Sequence, residues 1–347
     1  MGNQDSRSVE IIVSAGIIRA EVENQHDRCI GENQLKPFSD RLAEKIREKK
    51  TPTLVGLDPR WALIPTSLKS NKSENVPQDV AEVFEAFCRK VVDIVAPLVP
   101  AVKPQSAFFE QYGPWGMKAL ANVVQYASQK GLLVILDAKR NDIGSTATAY
   151  ANGLIGPNAT SPWGADALTV SPYLGDDSLQ PFVDVANSRG GGLFILVKTS
   201  NKGGAMFQDL MVEGNVPLYQ KVGEFVAQLA QESRDKTNIV CEYGNIGAVI
   251  GATWPQQLEK MRTLLPGVWF LVPGYGSQGG GARDVAGAFD SHGLGALINN
   301  SRGIIFAHLA DAYKEKYGET RWEAAVEAST RDMIDALASE TNAGALW

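Results

Sequence analysis

From Phe38 onward, short apolar runs alternate with longer segments that carry apolar residues at helical spacing. The apolar runs have the length of β-strands, and there are eight of them, at 53–58, 99–104, 132–139, 165–171, 192–200, 247–253, 268–274 and 295–301. We predict helices at 39–50, 79–97, 114–130, 145–153, 216–234, 255–264 and 319–339. Near-continuous hydrophobicity is typical of parallel strands covered by helices. Eight such alternations predict an α/β fold, a single (β/α)8 TIM barrel, rather than a doubly wound sheet.

Two segments fall outside this alternation. Residues 1–36 are predicted to form an N-terminal extension of unknown role, with a short strand at 9–18, and residues 37–347 to form the barrel domain. The polar stretch 61–78 is predicted to be a surface insertion after the first strand. We also expect Ser39 to cap the first helix and Ser145 or Thr146 to cap the helix after the third strand.

Composition excludes several classes of protein. The chain has 347 residues, 44% apolar and 21% charged, which is ordinary for a globular protein with a large core. Its net charge of −6 argues against a general nucleic-acid binder. Without a long apolar run or a signal-peptide pattern, we expect a cytoplasmic protein with no membrane partner. The three cysteines and three histidines are too scattered for a disulfide scaffold or a multi-histidine zinc site, and Cys88 and Cys241 are expected to be inert.

Polar residues follow most of the apolar runs, at the point where each run ends. They are Asp58, Lys103, Asp137, Lys139, Ser171, Thr199, Ser200, Asn300 and Arg302. In a (β/α)8 barrel, the carboxyl ends of the strands meet at one mouth, where active sites lie. Exposure of a strand end to solvent would explain one such polar residue, but not polar residues at the ends of so many strands. The sequence therefore predicts an active site at this mouth.

The third run carries the densest charge. Asp137 and Lys139 are two residues apart and so point to the same side of a strand, and Asp142 follows in the loop. This spacing alone is also typical of a structural ion pair. Lys103, at the end of the neighbouring run, adds a second cation. Burying such a cluster is unfavourable unless the charges pair or face a charged ligand, which favours a catalytic role.

The seventh and eighth runs lead into a candidate phosphate site. Five glycines occur within residues 274–281, in a loop that we expect to open a helix, and Arg302 follows the eighth run. Backbone N–H groups of glycine-rich loops can approach an oxyanion, and the loops after strands seven and eight are the usual phosphate site of these barrels. The segment lacks the P-loop motif. We expect it to act as a lid.

In this order and at these intervals, the motifs resemble the orotidine 5'-phosphate decarboxylase family, in its longer bacterial subfamily. The pieces are FSDRL (38–42), VGLDPR (55–60), VKPQSAFFEQYG (102–113), LDAKRNDIGSTA (136–147), SPYLGDDSLQPF (171–182), VKTSN (197–201), GAVIGAT (247–253), VPGYGSQGG (272–280) and NNSRGI (299–304). Each piece is weak alone, but the ordered set is specific.

The resemblance implies a homodimer that converts orotidine 5'-monophosphate to uridine 5'-monophosphate and CO2 without a cofactor or metal, the last step of pyrimidine synthesis. It implies that Lys139 protonates C6, that Asp137 faces the substrate carboxylate and that Lys103 bonds the ribose while holding Asp137. Asp142 would come from the partner subunit. The implied substrate contacts are Asp58 and Thr146 (ribose, with Thr146 also at the dimer interface), Thr199 or Ser200 (pyrimidine), Gln278 and Arg302 (phosphate), and Gly303. Lys198 stands where this subfamily is expected to have arginine.

Two alternatives remain at the level of sequence. Sugar-phosphate decarboxylases and synthases of the same superfamily use Mg²⁺ at a similar motif, which would make Asp137 and Asp142 metal ligands. The VGLDPR and SPYLG motifs argue against this alternative. The second is a non-catalytic barrel that binds a phosphate ligand and uses the charged cluster as a structural network.

Overall fold

Eight parallel strands close into a barrel in the computed structural model, which describes residues 36–157, 160–276 and 279–347. The strands of the barrel are β1 (Thr53–Leu57), β2 (Ala101–Pro104), β3 (Leu133–Arg140), β4 (Ala167–Val170), β5 (Gly192–Lys198), β8 (Ile246–Ile250), β9 (Phe270–Val272) and β10 (Ala296–Asn300). A small antiparallel hairpin, β6 (Met211–Val212) with β7 (Val216–Pro217), interrupts the series after β5. The barrel closes where β1 pairs with β10, which confirms the predicted (β/α)8 architecture.

Helices precede, connect and follow the strands of the barrel. They are α1 (Phe38–Lys49), α2 (Pro77–Val95), α3 (Ala107–Glu110), α4 (Gly113–Gln129), α5 (Gly144–Leu154), α6 (Asp176–Ser188), α7 (Ala205–Gln208), α8 (Leu218–Lys236), α9 (Pro255–Leu264), α10 (Arg302–Ile305), α11 (Asp311–Lys314) and α12 (Trp322–Glu340). Helix α6 is not among the predicted helices, although apolar residues on one side of it are buried against the barrel. The predicted insertion 61–78 is largely exposed and contains two short 3-10 turns.

Two predicted helix caps are wrong. Helix α1 begins at Phe38, so that Ser39 lies inside its first turn, where its buried hydroxyl donates to the carbonyl oxygen of Gly244 at 2.5 Å. Tertiary hydrogen bonding therefore takes the hydroxyl that would have capped the helix. At α5, Ile143 precedes the first turn and no side chain caps it, so neither Ser145 nor Thr146 fills that role.

Helix α1 closes the amino-terminal end of the barrel. Phe38 is buried and packs edge-on against Phe194 of β5, with ring centroids 6.0 Å apart. The approach is so close that a Cβ atom on Gly192 would lie 2.2 Å from the Phe38 ring. The indole N–H of Trp269 donates to Ser39 at 3.1 Å and ties the same helix to the start of β9. The barrel interior is therefore filled at this end by α1 and the apolar side chains that pack against it.

Other predictions concern the surface and the cysteines. Among the helices of the described residues, none is long and apolar enough to cross a bilayer. Cys88 is buried on α2, and burial holds the pKa of its thiol well above the usual range. Burial likewise raises the pKa of Cys241 to about 12. Protonated thiols are poor nucleophiles, as expected for inert cysteines. Residues 1–35, including the predicted strand at 9–18, lie outside the described residues, so the N-terminal extension stays a prediction.

Replacing Phe38 with Ala should lower the free energy of unfolding by about 3 to 5 kcal/mol, because it opens a cavity at the closed end of the barrel. Urea unfolding followed by circular dichroism measures the change. As a control, Val240→Ala removes a side chain from a residue that is 90% exposed and should alter stability by less than about 0.5 kcal/mol. If Phe38→Ala lowers the free energy of unfolding by no more than Val240→Ala does, α1 does not belong to the core.

Candidate active site

A cavity of about 480 Å³ opens at the carboxyl ends of the strands. Predicted site residues that line it are Asp58, Lys103, Asp137, Lys139, Thr199, Ser200 and Arg302. Polar residues that the sequence reasoning did not single out also line it, namely Arg60, Gln105, Thr169, Asn201, Tyr275, Asn299 and Ser301. Side chains that are scattered over 245 positions in the chain (58 to 302) therefore meet at one mouth, as expected for this architecture.

Strand β3 places the central charges through an irregularity near its end. Its pairing with β4 shifts register between Leu136 and Arg140, and within this stretch Lys139 adopts a left-handed backbone with φ +44°. Asp137 points into the barrel and is buried, whereas the side chain of Lys139 is 47% exposed towards the cavity. The strand thus delivers a buried anion and an accessible cation two residues apart.

Asp137 is the centre of a hydrogen-bond network. Its Oδ2 accepts from Lys103 Nζ at 2.6 Å and from Gln105 Nε2 at 3.0 Å. Its Oδ1 accepts from Lys139 Nζ at 2.6 Å and from Thr169 Oγ1 at 3.0 Å. Both carboxylate oxygens therefore have two donors each, and two of the four donors are cationic.

Charge pairing keeps these groups ionised in spite of their burial. Burial alone would raise the pKa of Asp137, but Lys103 and Lys139 outweigh it and hold this pKa well below the usual range. Burial alone would likewise lower the pKa of Lys103, yet Asp137 and Asp58 raise it above its ordinary value. At neutral pH the cavity therefore presents a carboxylate and a lysine ammonium fixed in place.

Two buried acceptors in the cavity wall have no hydrogen-bond partner among the described residues. They are Asp58 Oδ1, just after β1, and Asn299 Oδ1, near the end of β10. Leaving a buried acceptor unpaired is unfavourable. Hydroxyl groups of a ligand could satisfy both atoms.

The segment after β5 is held in place from within. Gln208 accepts from the backbone N–H of Thr199 at 3.0 Å and donates to its Oγ1 at 2.8 Å. The fully buried Lys198 pairs with Asp209 and lies 4.7 Å from the ring centroid of Trp254, outside the cavity. The lysine that replaces an expected arginine is thus a part of the support beneath the site.

The glycine-rich segment is built differently from the prediction. It turns back on itself, with the N–H of Gly276 donating to the carbonyl oxygen of Gly280 at 2.7 Å. Positive φ values of 101° at Gly274 and 72° at Gly276 explain why glycine stands there. The helix that follows the segment is a short 3-10 helix of six residues, Arg283–Ala288. Gln278 lies outside the described residues.

Three further predicted residues do not line the cavity. Gly303 follows Arg302, and its backbone N–H donates to Asn300 Oδ1 at 3.2 Å. Asp142 and Thr146 lie beyond β3, in the loop and in the first turn of α5, and Thr146 is exposed. Their placement leaves them accessible to another molecule, and their roles stay predictions.

Gln105 and Thr169 are the most informative residues that the sequence reasoning missed. Both donate to Asp137. Gln105 lies two residues after Lys103 and one residue past the end of β2, so the alternation of side chains, continued beyond the strand, was a signal for it. Thr169 is the polar residue of the apolar strand β4, which was a weaker signal.

The described residues offer no group of three or more histidine, cysteine, aspartate or glutamate side chains arranged to hold a metal ion. The sequence offered Asp137 as a possible metal ligand, but its carboxylate already binds the ammonium groups of Lys103 and Lys139. A divalent cation there would be repelled by Lys103 and Lys139.

Replacing Asp137 with Asn should lower the free energy of unfolding at neutral pH by about 3 to 5 kcal/mol, because Lys103 is left buried without its counter-ion. The pKa of Asp137 is lower in the folded than in the unfolded protein, so its stabilisation is present above the unfolded value and is lost as the pH falls. The difference between wild type and variant should therefore shrink below about pH 4.

Urea titrations between neutral and acidic pH measure this difference. Asp93→Asn is the matched control, because Asp93 forms an exposed ion pair with Lys130 and should contribute less than about 1 kcal/mol. If the difference caused by Asp137→Asn stayed constant into the acid range, the ionised carboxylate would not be its source.

Comparisons with known proteins identify the family of this chain. A sequence model described as "Orotidine 5'-phosphate decarboxylase / HUMPS family" matches residues 52–316. The orotidine 5'-phosphate decarboxylase of Rhodopirellula baltica is 49% identical over 302 residues, covering 86% of this chain and 98% of the relative. That of Caldicellulosiruptor bescii is 39% identical over 281 residues, covering 78% and 90%. The structure of Leishmania donovani OMP decarboxylase aligns with a TM-score of 0.66 at 32% identity, covering 88% of this chain and 98% of that one. This chain belongs to the orotidine 5'-phosphate decarboxylase / HUMPS family.

Proposed function

We propose that this protein decarboxylates orotidine 5'-monophosphate to uridine 5'-monophosphate and CO2, without a cofactor, as the last step of pyrimidine synthesis. The observation that carries the proposal is the buried Asp137 held between two lysines in a cavity at the barrel mouth. Membership of the family and the names of its close relatives support the choice of substrate.

In the proposed reaction, the bond from C6 to the carboxylate breaks, and its electron pair stays on C6. The ammonium of Lys139, half exposed to the cavity, stabilises this developing charge and then donates a proton to C6. Water returns the proton to the lysine. Asp137, kept ionised by its partners, repels the substrate carboxylate, and departure of CO2 relieves this repulsion.

The sugar and base are assigned by the donors and acceptors that remain available. Asp58 has an unpaired buried oxygen for a ribose hydroxyl, and Lys103 lies beside it, close enough for the Asp58 charge to raise the pKa of Lys103. For the pyrimidine, Ser200 is favoured over Thr199, because Gln208 already binds both the amide and the hydroxyl of Thr199.

The phosphate is assigned to Arg302, Gln278 and the backbone of segment 274–281, with Gly303 alongside. Arg302, Gly274 and Tyr275 line the cavity on this side. The phosphate is remote from C6, so its binding energy can be used to close the glycine-rich segment over the substrate and exclude water. This is the proposed role of the segment as a lid.

We assign Asp142 and Thr146 to the active site of a partner subunit in a homodimer. Their position outside their own cavity supports this assignment. Exposed apolar side chains on the same part of the chain, Ile143 (57% exposed) and Tyr150 (37%), would be covered by such a partner.

The two alternative functions differ in what they require of Asp137. A magnesium-dependent sugar-phosphate enzyme needs this carboxylate free to bind the metal, yet both of its oxygens accept from lysine. A non-catalytic barrel has no need for an accessible lysine in the charged cluster, yet Lys139 faces the cavity.

Replacing Lys139 with Ala should lower kcat by about 10³-fold or more, because it removes both the electrostatic stabilisation and the proton donor. Affinity for uridine 5'-monophosphate should largely survive, since the phosphate site is elsewhere. Loss of orotate absorbance measures turnover, and the assay is run with and without EDTA. Lys221→Ala, an exposed lysine of α8, is the matched control.

Turnover by the wild type that persists in EDTA supports the proposal. Turnover that requires Mg²⁺ would favour the metal-dependent alternative, and ligand binding without turnover would favour the non-catalytic one. Equal kcat for Lys139→Ala and the control would remove Lys139 from the mechanism.

Mixing the inactive variants Lys139→Ala and Asp142→Ala should restore activity to about a quarter of wild type, because half of randomly mixed dimers are hybrid and each has one intact site. The same measurement on each variant mixed with itself is the control. If the subunits demonstrably exchange and no activity returns, Asp142 does not serve the partner's site.

A further inference from the structure

The hydroxyl of Thr169 connects the backbone of Lys139 to the carboxylate of Asp137. Thr169 is buried on β4, and its Oγ1 accepts from the backbone N–H of Lys139 at 2.9 Å and donates to Asp137 Oδ1 at 3.0 Å. The directions are fixed, because an amide can only donate and an ionised carboxylate can only accept. The single proton of the hydroxyl is therefore committed to Asp137.

The backbone of Lys139 needs such a restraint. Four non-glycine residues of the described chain have positive φ, and Lys50, Asn71 and Asn215 lie at a helix end, in a loop and in a hairpin turn. Lys139, with φ +44°, lies within a barrel strand. A lysine in this conformation is strained and persists only where its surroundings hold it. The bond from its N–H to Thr169 provides a specific restraint at that residue.

The contacts form a closed ring. One end of Lys139, the backbone N–H, is bound to Thr169, and the other end, Nζ, is 2.6 Å from Asp137 Oδ1. Thr169 and Asp137 are bound to each other, and Lys103 fixes Asp137 from the opposite side. Asp137 thus restrains both ends of Lys139. It binds the Nζ directly, and it binds the backbone N–H through the hydroxyl of Thr169.

We infer that Thr169 is a positioning residue, which orients the proton-donating Lys139 through its backbone. The inference rests on the proposed function, because the orientation of Lys139 matters to rate only if its ammonium acts on the substrate. With its hydrogen given to Asp137, the hydroxyl is not available to donate to a ligand, so Thr169 acts through Lys139 and not by donating to the substrate.

Replacing Thr169 with Val keeps the branched shape and removes both hydrogen bonds. We expect kcat to fall by about 10- to 100-fold, because the reacting group is misplaced. KM and the affinity for uridine 5'-monophosphate should stay within about threefold of wild type, since substrate contacts remain. Thr169→Ser keeps the hydroxyl and should restore kcat. The concentration of active sites is titrated with uridine 5'-monophosphate, so that a partly folded sample does not mimic a slow enzyme.

Thr53→Val is the matched control. Thr53 is also a buried threonine of a barrel strand with a hydroxyl partner, Thr51, but lies at the start of β1, at the closed end of the barrel. This variant loses the same chemical group far from the cavity and should keep the wild-type kcat.

A second measurement does not depend on turnover. Hydrogen exchange at the Lys139 amide should be slow in the wild type and in Thr169→Ser, and faster in Thr169→Val. The inference is wrong if Thr169→Val keeps both kcat and amide protection, or if Thr169→Ser is as impaired as Thr169→Val. It is also wrong if kcat, KM and ligand affinity deteriorate together. A wild type without decarboxylase activity would refute the proposed function, whereas the exchange rates would still decide whether Thr169 restrains Lys139.

Discussion

The arrangement of the mouth depends on one ionic interaction, the carboxylate of Asp137 between the ammonium groups of Lys103 and Lys139. A buried charge without partners is strongly unfavourable. Two lysine ammonium groups and two neutral donors bind the Asp137 carboxylate and keep it ionised. This constraint draws strands β2, β3 and β4 together at their carboxyl ends. Together with Asp58, whose charge raises the pKa of Lys103, the two lysines and Asp137 form a cluster without net charge, in which Lys139 faces the cavity.

Around this centre, the two ends of the barrel differ in the residues that they carry. Its amino-terminal end is filled by apolar side chains and by α1, and its carboxyl-terminal end carries the polar residues. The segment after β5 is held by Gln208 and by the buried Lys198, whereas the segment after β9 is built from glycines with left-handed backbones. One part of the cavity wall is therefore fixed by side chains, and a nearby part, separated from it around the barrel by the single strand β8, is shaped by the backbone.

Much of the fold was readable from the sequence, because strands buried on both faces leave apolar runs that solvent-exposed segments do not. Runs ending in Asp58, Lys103 or Asp137 also predicted that these residues meet at the mouth, and all three line the cavity there. The errors arose where tertiary contacts override local rules. Ser39 bonds to a distant carbonyl instead of capping its helix. The left-handed backbone of Lys139, within the register shift between β3 and β4, had no signal in the sequence. Thr169 was missed because one polar residue in an apolar strand is a weak signal, and its partners lie on β3.

The closure of the barrel by α1 bears on the order of folding. The partners of Ser39 in the structure, Gly244, Asn245 and Trp269, are 205 to 230 residues further along the chain. During synthesis, α1 leaves the ribosome long before these partners exist, and its apolar face has nothing native to cover it. Contacts of such long range form slowly and leave hydrophobic surface exposed in the meantime. The first helix of the barrel to be made can therefore be seated only after most of the strands have been synthesised.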